Sequence, residues 1–344
     1  MSILHDPDVR YLTKIMDSVD GSIDGEIRMG AAVTQIPQYE RYFAPILQSC
    51  RMNLNGVSDE EIEKCSIITS SMNTSLFVSN TMRYVGEGSL YTYLKSQIMK
   101  GDSAGVKAIF ATHIHTLKAI IKLKNAHMVH FDLKENNVIF DEKKGVPIII
   151  DFGFSFTEKQ LFDSRSDDDL NNFFWSYQYE KDESFVIDWC VEVDILNYIT
   201  QIYYTEYGNS LDSVINTANI RELQNTVDRY ITKIDLTDMN YFTDLEVYQY
   251  RTAYHEYLFS YSGYTWRTLI LNLKESWQFW DNYALARTYS EFMRYVLPRK
   301  KNFGEILFVK EYTEIVKKTV FGIPGYRQGA EETLLSLENI MQYM

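Results

Sequence analysis

The sequence predicts an α+β protein of two unequal parts, a small strand-bearing part followed by a larger helical one. Three observations carry that prediction. Tyr11 to Ile15 and Ser75 to Val85 are rich in β-branched and aromatic residues, which suits strands. Val106, Ile109, Phe110, Ile114, Leu117, Ile120 and Ile121 recur at three- and four-residue steps, one apolar stripe of a long buried helix. After Asp188 the pattern is mostly helical and strongly aromatic, in a chain that holds 26 Tyr and 19 Phe. Side chains of that kind belong to large buried faces.

The remaining elements follow in order. Glu26 to Val33 suits a short helix after the first strand, and the helical period holds between Gly88 and His127. Two short apolar runs come next, Val138 to Phe140 and Pro147 to Ile150. The segment Asp141-Glu142-Lys143-Lys144-Gly145 between them is turn-forming, so the pair reads as a hairpin. No repeat, low-complexity tract or Pro/Gly-rich linker interrupts the 344 residues, and the charge runs Asp167 to Asp169 and Arg299 to Lys301 read as solvated segments. A cleft between the two parts is the natural place for a ligand.

Composition narrows the functional classes. The chain has 34 Lys+Arg against 47 Asp+Glu, a formal charge of −13, with 45% hydrophobic and 24% charged residues. Those proportions exclude a disordered chain, a collagen-like repeat and a coiled coil. The acidic balance argues against a nucleic-acid partner, which needs clustered Lys and Arg. No apolar run approaches the ~20 residues needed to span a bilayer, and Met1 to Arg10 lacks the apolar core of a signal peptide. Cys50, Cys65 and Cys190 cannot all pair with one another and show no CxxC spacing, which favours a reducing compartment and buried thiols. A soluble, cytoplasmic protein is expected, without a membrane partner. His113 and His115 lie two apart on the long helix and face different ways, so they make no metal pair. Trp266, Trp277, Phe279, Trp280 and Tyr283 read as helix packing.

The chemistry concentrates in Met128 to Phe156, MVHFDLKENNVIFDEKKGVPIIIDFGFSF. Asp132 and Asn137 lie in a polar loop after the long helix, and Asp151 closes the second strand of the hairpin. A hairpin brings its ends together, so Asn137 and Asp151 should be neighbours. A carboxylate and an amide oxygen converging there make a hard-oxygen site suited to Mg²⁺, which takes carboxylates together with phosphate oxygens. Asp132 is left to accept a proton from a hydroxyl nucleophile, and Lys134 can neutralise a phosphoryl group in transfer. The set describes phosphoryl transfer, in which the protein mainly positions groups and supplies electrostatic stabilisation.

Here the chain resembles the eukaryotic-type protein kinases. His130-Phe131-Asp132-Leu133-Lys134-Glu135-Asn136-Asn137 is similar to the H-R-D-L-K-x-x-N catalytic loop, and Asp151-Phe152-Gly153 matches D-F-G nineteen positions after Asp132. The resemblance implies a bilobal fold: 1–86 as a reduced N-terminal lobe through the hinge, and 87–344 as a helical C-terminal lobe. Within the latter, 155–280 would hold a long activation segment plus a helical insertion. It implies ATP and Mg²⁺ as cofactors, Asp132 as base, Asn137 and Asp151 as metal ligands, and Lys134 as a sign of Ser/Thr acceptors in a protein substrate. Met82-Arg83-Tyr84-Val85-Gly86-Glu87-Gly88-Ser89-Leu90 looks like the hinge, with Met82 as gatekeeper and the backbones of Arg83 and Val85 bonding adenine. Glu26 resembles the helix glutamate that pairs with a strand lysine to hold the ATP phosphates, and Lys14 is the best lysine for that pairing. Arg327, in Ile323 to Glu332, resembles the late-lobe arginine that makes a buried ion pair with a glutamate closing the activation segment.

Three departures shape the expectation. The residues before Lys14 hold no glycine, and two further strands do not fit into about eight residues at ~3.3 Å each. Residues missing upstream, a different cover over the phosphates, and weak ATP binding all remain open. Secondly, the helix-F aspartate is preferentially Asp281, 130 residues after Asp151, with Asp194 as a rival at a more usual distance and Trp189-Cys190-Val191-Glu192 as a degenerate A-P-E. Thirdly, Phe131 replaces an arginine that would pair with a phosphorylated loop. No switch of that kind is expected, and Ser155, Thr157, Ser164 and Ser166 read as plain loop residues. The clipped start and Tyr-rich helical insertion look like the divergent Ser/Thr kinases of large DNA viruses, which would place the chain in host cytoplasm or virion. Two other readings stand beside an active kinase: a pseudokinase scaffold, supported by the missing glycine loop, and a small-molecule phosphotransferase of the aminoglycoside-kinase type. The latter generally lacks counterparts of Lys134, Phe152-Gly153 and the Arg327 segment.

Overall fold

A computed structural model describes residues 10–17, 22–51, 58, 60, 77–163, 189–206, 208–233, 242–296 and 307–342. The charge runs at 167–169 and 299–301, Cys65, Ser164 and Ser166 lie outside the described residues.

Among the described residues, the small part is built on a three-stranded sheet and the helix packed against it. Strands β1 (Tyr11–Asp17), β2 (Ile46–Arg51) and β3 (Phe77–Arg83) form an antiparallel sheet in the order β1-β3-β2 among the described residues. Register pairs run from Tyr11↔Arg83 to Asp17↔Phe77 on one side of β3, and a bulge at Ile46/Gln48 bends the other. Helix α1 (Ser22–Val33) crosses the sheet so closely that a Cβ on Gly30 would lie 2.4 Å from the Ile46 carbonyl oxygen, so only glycine fits there. Met29 and Val33 on its inner face are buried with Phe43.

The larger part opens with α2 (Leu90–Lys100), capped by the Ser89 hydroxyl accepting the Thr92 N–H at 3.3 Å. Gly101, at φ 147°, then breaks the chain before α3 (Asp102–Asn125). The expected helical stretch is thus cut in two, because glycine reaches a backbone angle that its neighbours would resist. The apolar stripe foreseen from Val106 to Ile121 lies in α3, where Ile109, Phe110, Leu117 and Ile120 are fully buried. After it come β4 (Met128–Val129), β5 (Val138–Asp141), β6 (Val146–Ile149), β7 (Phe156–Thr157) and α4 (Glu158–Phe162). The hairpin β5–β6 pairs Val138↔Ile149 through Asp141↔Val146, as its turn residues demand, and Asp141 Oδ1 accepts the N–H groups of Lys143 and Lys144 at 3.1 Å each.

The rest is helical. Helix α5 (Val191–Asn197) runs into a π-turn, Tyr198–Glu206, and is followed by α6 (Thr217–Lys233), α7 (Asp244–Phe259) and α8 (Trp266–Glu275). These helices precede α9 (Trp280–Val296). Helices α10 (Leu307–Val320) and α11 (Ala330–Met341) close the fold against α9 and α3. Trp266, Trp277, Trp280 and Tyr283 are buried, as packing residues should be. His113 Nδ1 lies 2.8 Å from the Tyr312 hydroxyl in the core, whereas His115 Nε2 donates to the Arg41 carbonyl at 3.0 Å. Burial pushes His113 down to about 3, so it is a neutral core residue. Of the expected buried thiols, Cys190 is buried but Cys50 is exposed, because β2 alternates and Cys50 falls on its outer face. No described helix is long and apolar enough to cross a membrane.

Candidate active site

The loop between β4 and β5 is fixed before any side chain in it acts. His130 and Phe131 donate their backbone N–H groups to the two carboxylate oxygens of Asp281, at 2.8 and 2.9 Å. Asp281, on the first turn of α9, is buried, and burial pushes its carboxyl up while the two N–H bonds oppose that shift. Asp281, the aspartate that the sequence reading prefers over Asp194, is thus bonded to this loop. Below the loop, the His130 ring accepts the Asp132 N–H on Nδ1 at 3.3 Å and donates from Nε2 to the Ile150 carbonyl at 2.9 Å.

On this base the candidate residues converge. Asp132 is buried, and both its oxygens accept from Lys134 Nζ, at 3.0 and 2.9 Å. Asn137 donates from Nδ2 to the Asp132 carbonyl and to its Oδ2, each at 2.8 Å. With both amide hydrogens so engaged, the Asn137 Oδ1 is turned away from Asp132. The hairpin brings its ends together as expected: the Ile150 N–H donates to the Asn137 carbonyl at 2.9 Å, one residue before Asp151. Asp151 has a left-handed backbone (φ 62°) and a part-exposed carboxylate whose Oδ1 lies 3.7 Å from Lys14 Nζ. The same lysine is 3.6 Å from Glu26 Oε2. Glu26 is buried, which raises its carboxyl, and Lys14 is the main force pulling it back. Lys14 thus joins α1 of the small part to the end of the hairpin in the large part.

Phe152 lies inward, fully buried, with its ring 6.0 Å from Phe43 edge-on and 5.0 Å from the His130 ring. That inward position leaves Asp151 directed toward Lys14. Phe43 in turn bridges to Ile149, so the loop after α1 is stitched to β6.

The hinge candidates are split. Met82 is buried in β3, opposite Leu12 and Ile46. Val85 sits in the irregular linker 84–86, and its backbone groups have no hydrogen-bond partner among the described residues. The Arg83 side chain turns behind the hinge: Nη2 donates to the Glu40 and Phe43 carbonyls at 2.9 and 3.4 Å, and Nη1 lies 3.6 Å from Asp141 Oδ2. The resemblance implies only a backbone role for Arg83, and no spacing in the chain points to this side-chain hub.

Further down, Glu192 and Arg327 meet as a buried ion pair at 2.8 Å. Two further donors reach the loop: the Ser155 hydroxyl donates to the His130 carbonyl at 2.9 Å, and the Trp189 indole to the Phe131 carbonyl at 2.7 Å. Ser155, expected as a plain loop residue, is buried and engaged, and no local pattern signals either bond.

Residues 48–182 match the family model of protein tyrosine and serine/threonine kinases. No curated protein matches the chain. Among solved structures, the chain is similar to the kinase PK-1 of Cydia pomonella granulovirus, at 21% identity and a TM-score of 0.29, over 44% of this chain and 44% of that one. The chain therefore spans less than half the length of that neighbour in the match. The match over residues 48–182 and the two-part architecture above agree with a kinase-like α+β fold.

Proposed function

We propose that the chain is a Ser/Thr protein kinase that transfers the γ-phosphoryl group of ATP to a hydroxyl of a protein substrate. The single observation that carries the reading is the placement of Asp132 and Lys14. Asp132 is gripped by Lys134 and Asn137 on one side of the cleft, and Lys14 spans Glu26 and Asp151 on the other.

Each residue then has a task. Asp132 accepts the proton of the attacking hydroxyl, whose oxygen bonds to the γ-phosphorus as the bond to the leaving ADP oxygen breaks. Lys134, already at the Asp132 carboxylate, is in reach of the group in transfer and offsets its charge. Lys14, oriented by Glu26, faces the nucleotide's phosphate tail. Asn137 Oδ1 and the Asp151 carboxylate fit Mg²⁺, because both are hard oxygens at the adjoining ends of the hairpin. A two-ligand site is what this ion uses when phosphate oxygens and water complete its shell. Bound there, the ion would neutralise charge on the phosphates. Val85 and Arg83 offer backbone groups to the adenine, beside Met82.

The test is direct. Purified protein should be stabilised by Mg-ATP, because a ligand that binds only the native state adds RT ln(1 + [L]/Kd), and it should phosphorylate itself or a casein-like protein on Ser or Thr. Asp132→Asn should abolish transfer while leaving the thermal shift, and Asp151→Ala should abolish both. A thermal shift without transfer would favour the scaffold reading.

A further inference from the structure

Two consecutive residues of the catalytic loop, His130 and Phe131, are held from outside at all four backbone polar groups. The N–H groups of His130 and Phe131 go to Asp281. The His130 carbonyl accepts the Ser155 hydroxyl at 2.9 Å, and the Phe131 carbonyl accepts the Trp189 indole N–H at 2.7 Å. Ser155 precedes residues 164–188 and Trp189 follows them, so both ends of the segment after Asp151 are fastened to the same short stretch of loop. Trp189 is itself anchored: its carbonyl accepts the Tyr230 hydroxyl at 2.5 Å, and that hydroxyl lies 2.5 Å from the hydroxyl of Tyr283. Tyr283 belongs to α9, the helix that carries Asp281.

Packing adds to the fastening. Phe131 is buried at φ 68°, a backbone region that a bulky residue enters only when its surroundings impose it. Its ring stacks on Trp189 at 4.9 Å and 22°, meets Phe156 edge-on at 5.0 Å, and lies 5.5 Å from Trp280. Where the resembling family has an arginine waiting for a phosphate, this chain has an apolar ring inside an aromatic cluster. A phosphate clamp is a switch because the phosphate comes and goes. An indole N–H and a buried hydroxyl are permanent donors.

We infer that Trp189 and Ser155 are positioning residues that hold the Asp132 loop in working geometry by neutral hydrogen bonds, so that catalysis needs no phosphate on the segment between Asp151 and Glu192. The inference rests on the kinase reading above for its catalytic consequence, but not for its structural one.

Two conservative variants test it. Trp189→Phe keeps the stacked ring and removes the indole donor, and Ser155→Ala removes the hydroxyl with little change of volume. Each should lower kcat about tenfold or more, since small misplacements of a reacting group have effects of that size, and leave KM for ATP within about twofold. Amide hydrogen exchange over residues 130–137 should quicken about tenfold in each variant, with α3 unchanged. Phosphatase treatment of the unaltered protein should leave kcat where it was. Unchanged exchange and unchanged kcat in both variants would overturn the inference, as would loss of activity on dephosphorylation. If the unaltered protein transfers no phosphate to any acceptor, the kinase reading fails, and the exchange measurement still decides whether these donors hold the loop.

Discussion

The Arg327 guanidinium and the Glu192 carboxylate, 135 residues apart in sequence, meet at 2.8 Å with both side chains buried. Tyr254 donates to Glu192 Oε2 at 3.0 Å, and Arg327 also donates to the Gly322 carbonyl at 2.8 Å, so the pair is surrounded by further bonds. Removing one partner leaves a buried charge without compensation. Glu192→Gln or Arg327→Met should each cost about 3–5 kcal/mol, read from the denaturant midpoint. The double variant Glu192→Leu/Arg327→Met should recover much of that loss, because both charges leave together.

Arg83 joins three pieces of chain: the end of β3, the carbonyls of Glu40 and Phe43 below α1, and Asp141 on the hairpin. A lysine carries the same charge but lacks the planar fork that reaches all three. Arg83→Lys should therefore cost about 1–3 kcal/mol of stability, as a lost set of buried hydrogen bonds would. It should also weaken Mg-ATP binding, measured by calorimetry, because the hinge is no longer braced.

Lys14→Met should raise the Kd for Mg-ATP at least about tenfold, a change of about 1.4 kcal/mol in binding. Its effect on stability should depend on pH. The Glu26 carboxyl is already raised above 4.5 by burial, so its contribution to stability is present below that value and is lost as pH rises through the folded-state value. Without Lys14 that folded-state value climbs further. The variant should thus lose more stability at pH 7 than at pH 4, as comparison of denaturant midpoints at the two values will tell.

Lys274 on α8 is buried, with its ammonium 5.5 Å from the centre of the Phe162 ring. Burial pushes it down from 10.5 to about 8. A lysine lowered in this way costs stability fully below pH 8, and the cost fades between pH 8 and 10.5. In the unaltered protein stability should therefore rise between about pH 8 and 10.5, and Lys274→Met should remove that rise, in parallel thermal melts of the two proteins.

Much of the centre of the site was legible because it is written in short spacings. Asp132, Lys134 and Asn137 lie within six residues, and a hairpin of predictable turn chemistry carries Asp151 back to them. Glu26 and Lys14 were legible as partners only through the kinase resemblance, which asks for a strand lysine and a helix glutamate. Arg327 and Glu192 were legible only through a resemblance, since no pattern in the chain itself links positions so far apart. The reach of Trp189 to Phe131, across 58 residues, and of the Arg83 side chain to Glu40, across 43, had no local signal at all. Such bonds are products of tertiary packing, and neither periodicity nor turn chemistry encodes them. Gly101 was readable in hindsight, for a glycine inside a helical pattern is a common break. The exposure of Cys50 followed from a strand, β2, that the composition around it had not announced.

Among the described residues, β1 pairs with β3 through the seven positions that run from Tyr11↔Arg83 to Asp17↔Phe77, and no described strand lies along its outer side. A strand zipped by one seam opens more readily than one zipped by two. Lys14 sits midway along that seam. If Lys14 holds a phosphate tail as proposed, that hold is tied to how often the seam parts, and a nucleotide that draws Lys14 toward Asp151 would act as a second fastening. Warming should then erode affinity before it erodes the fold.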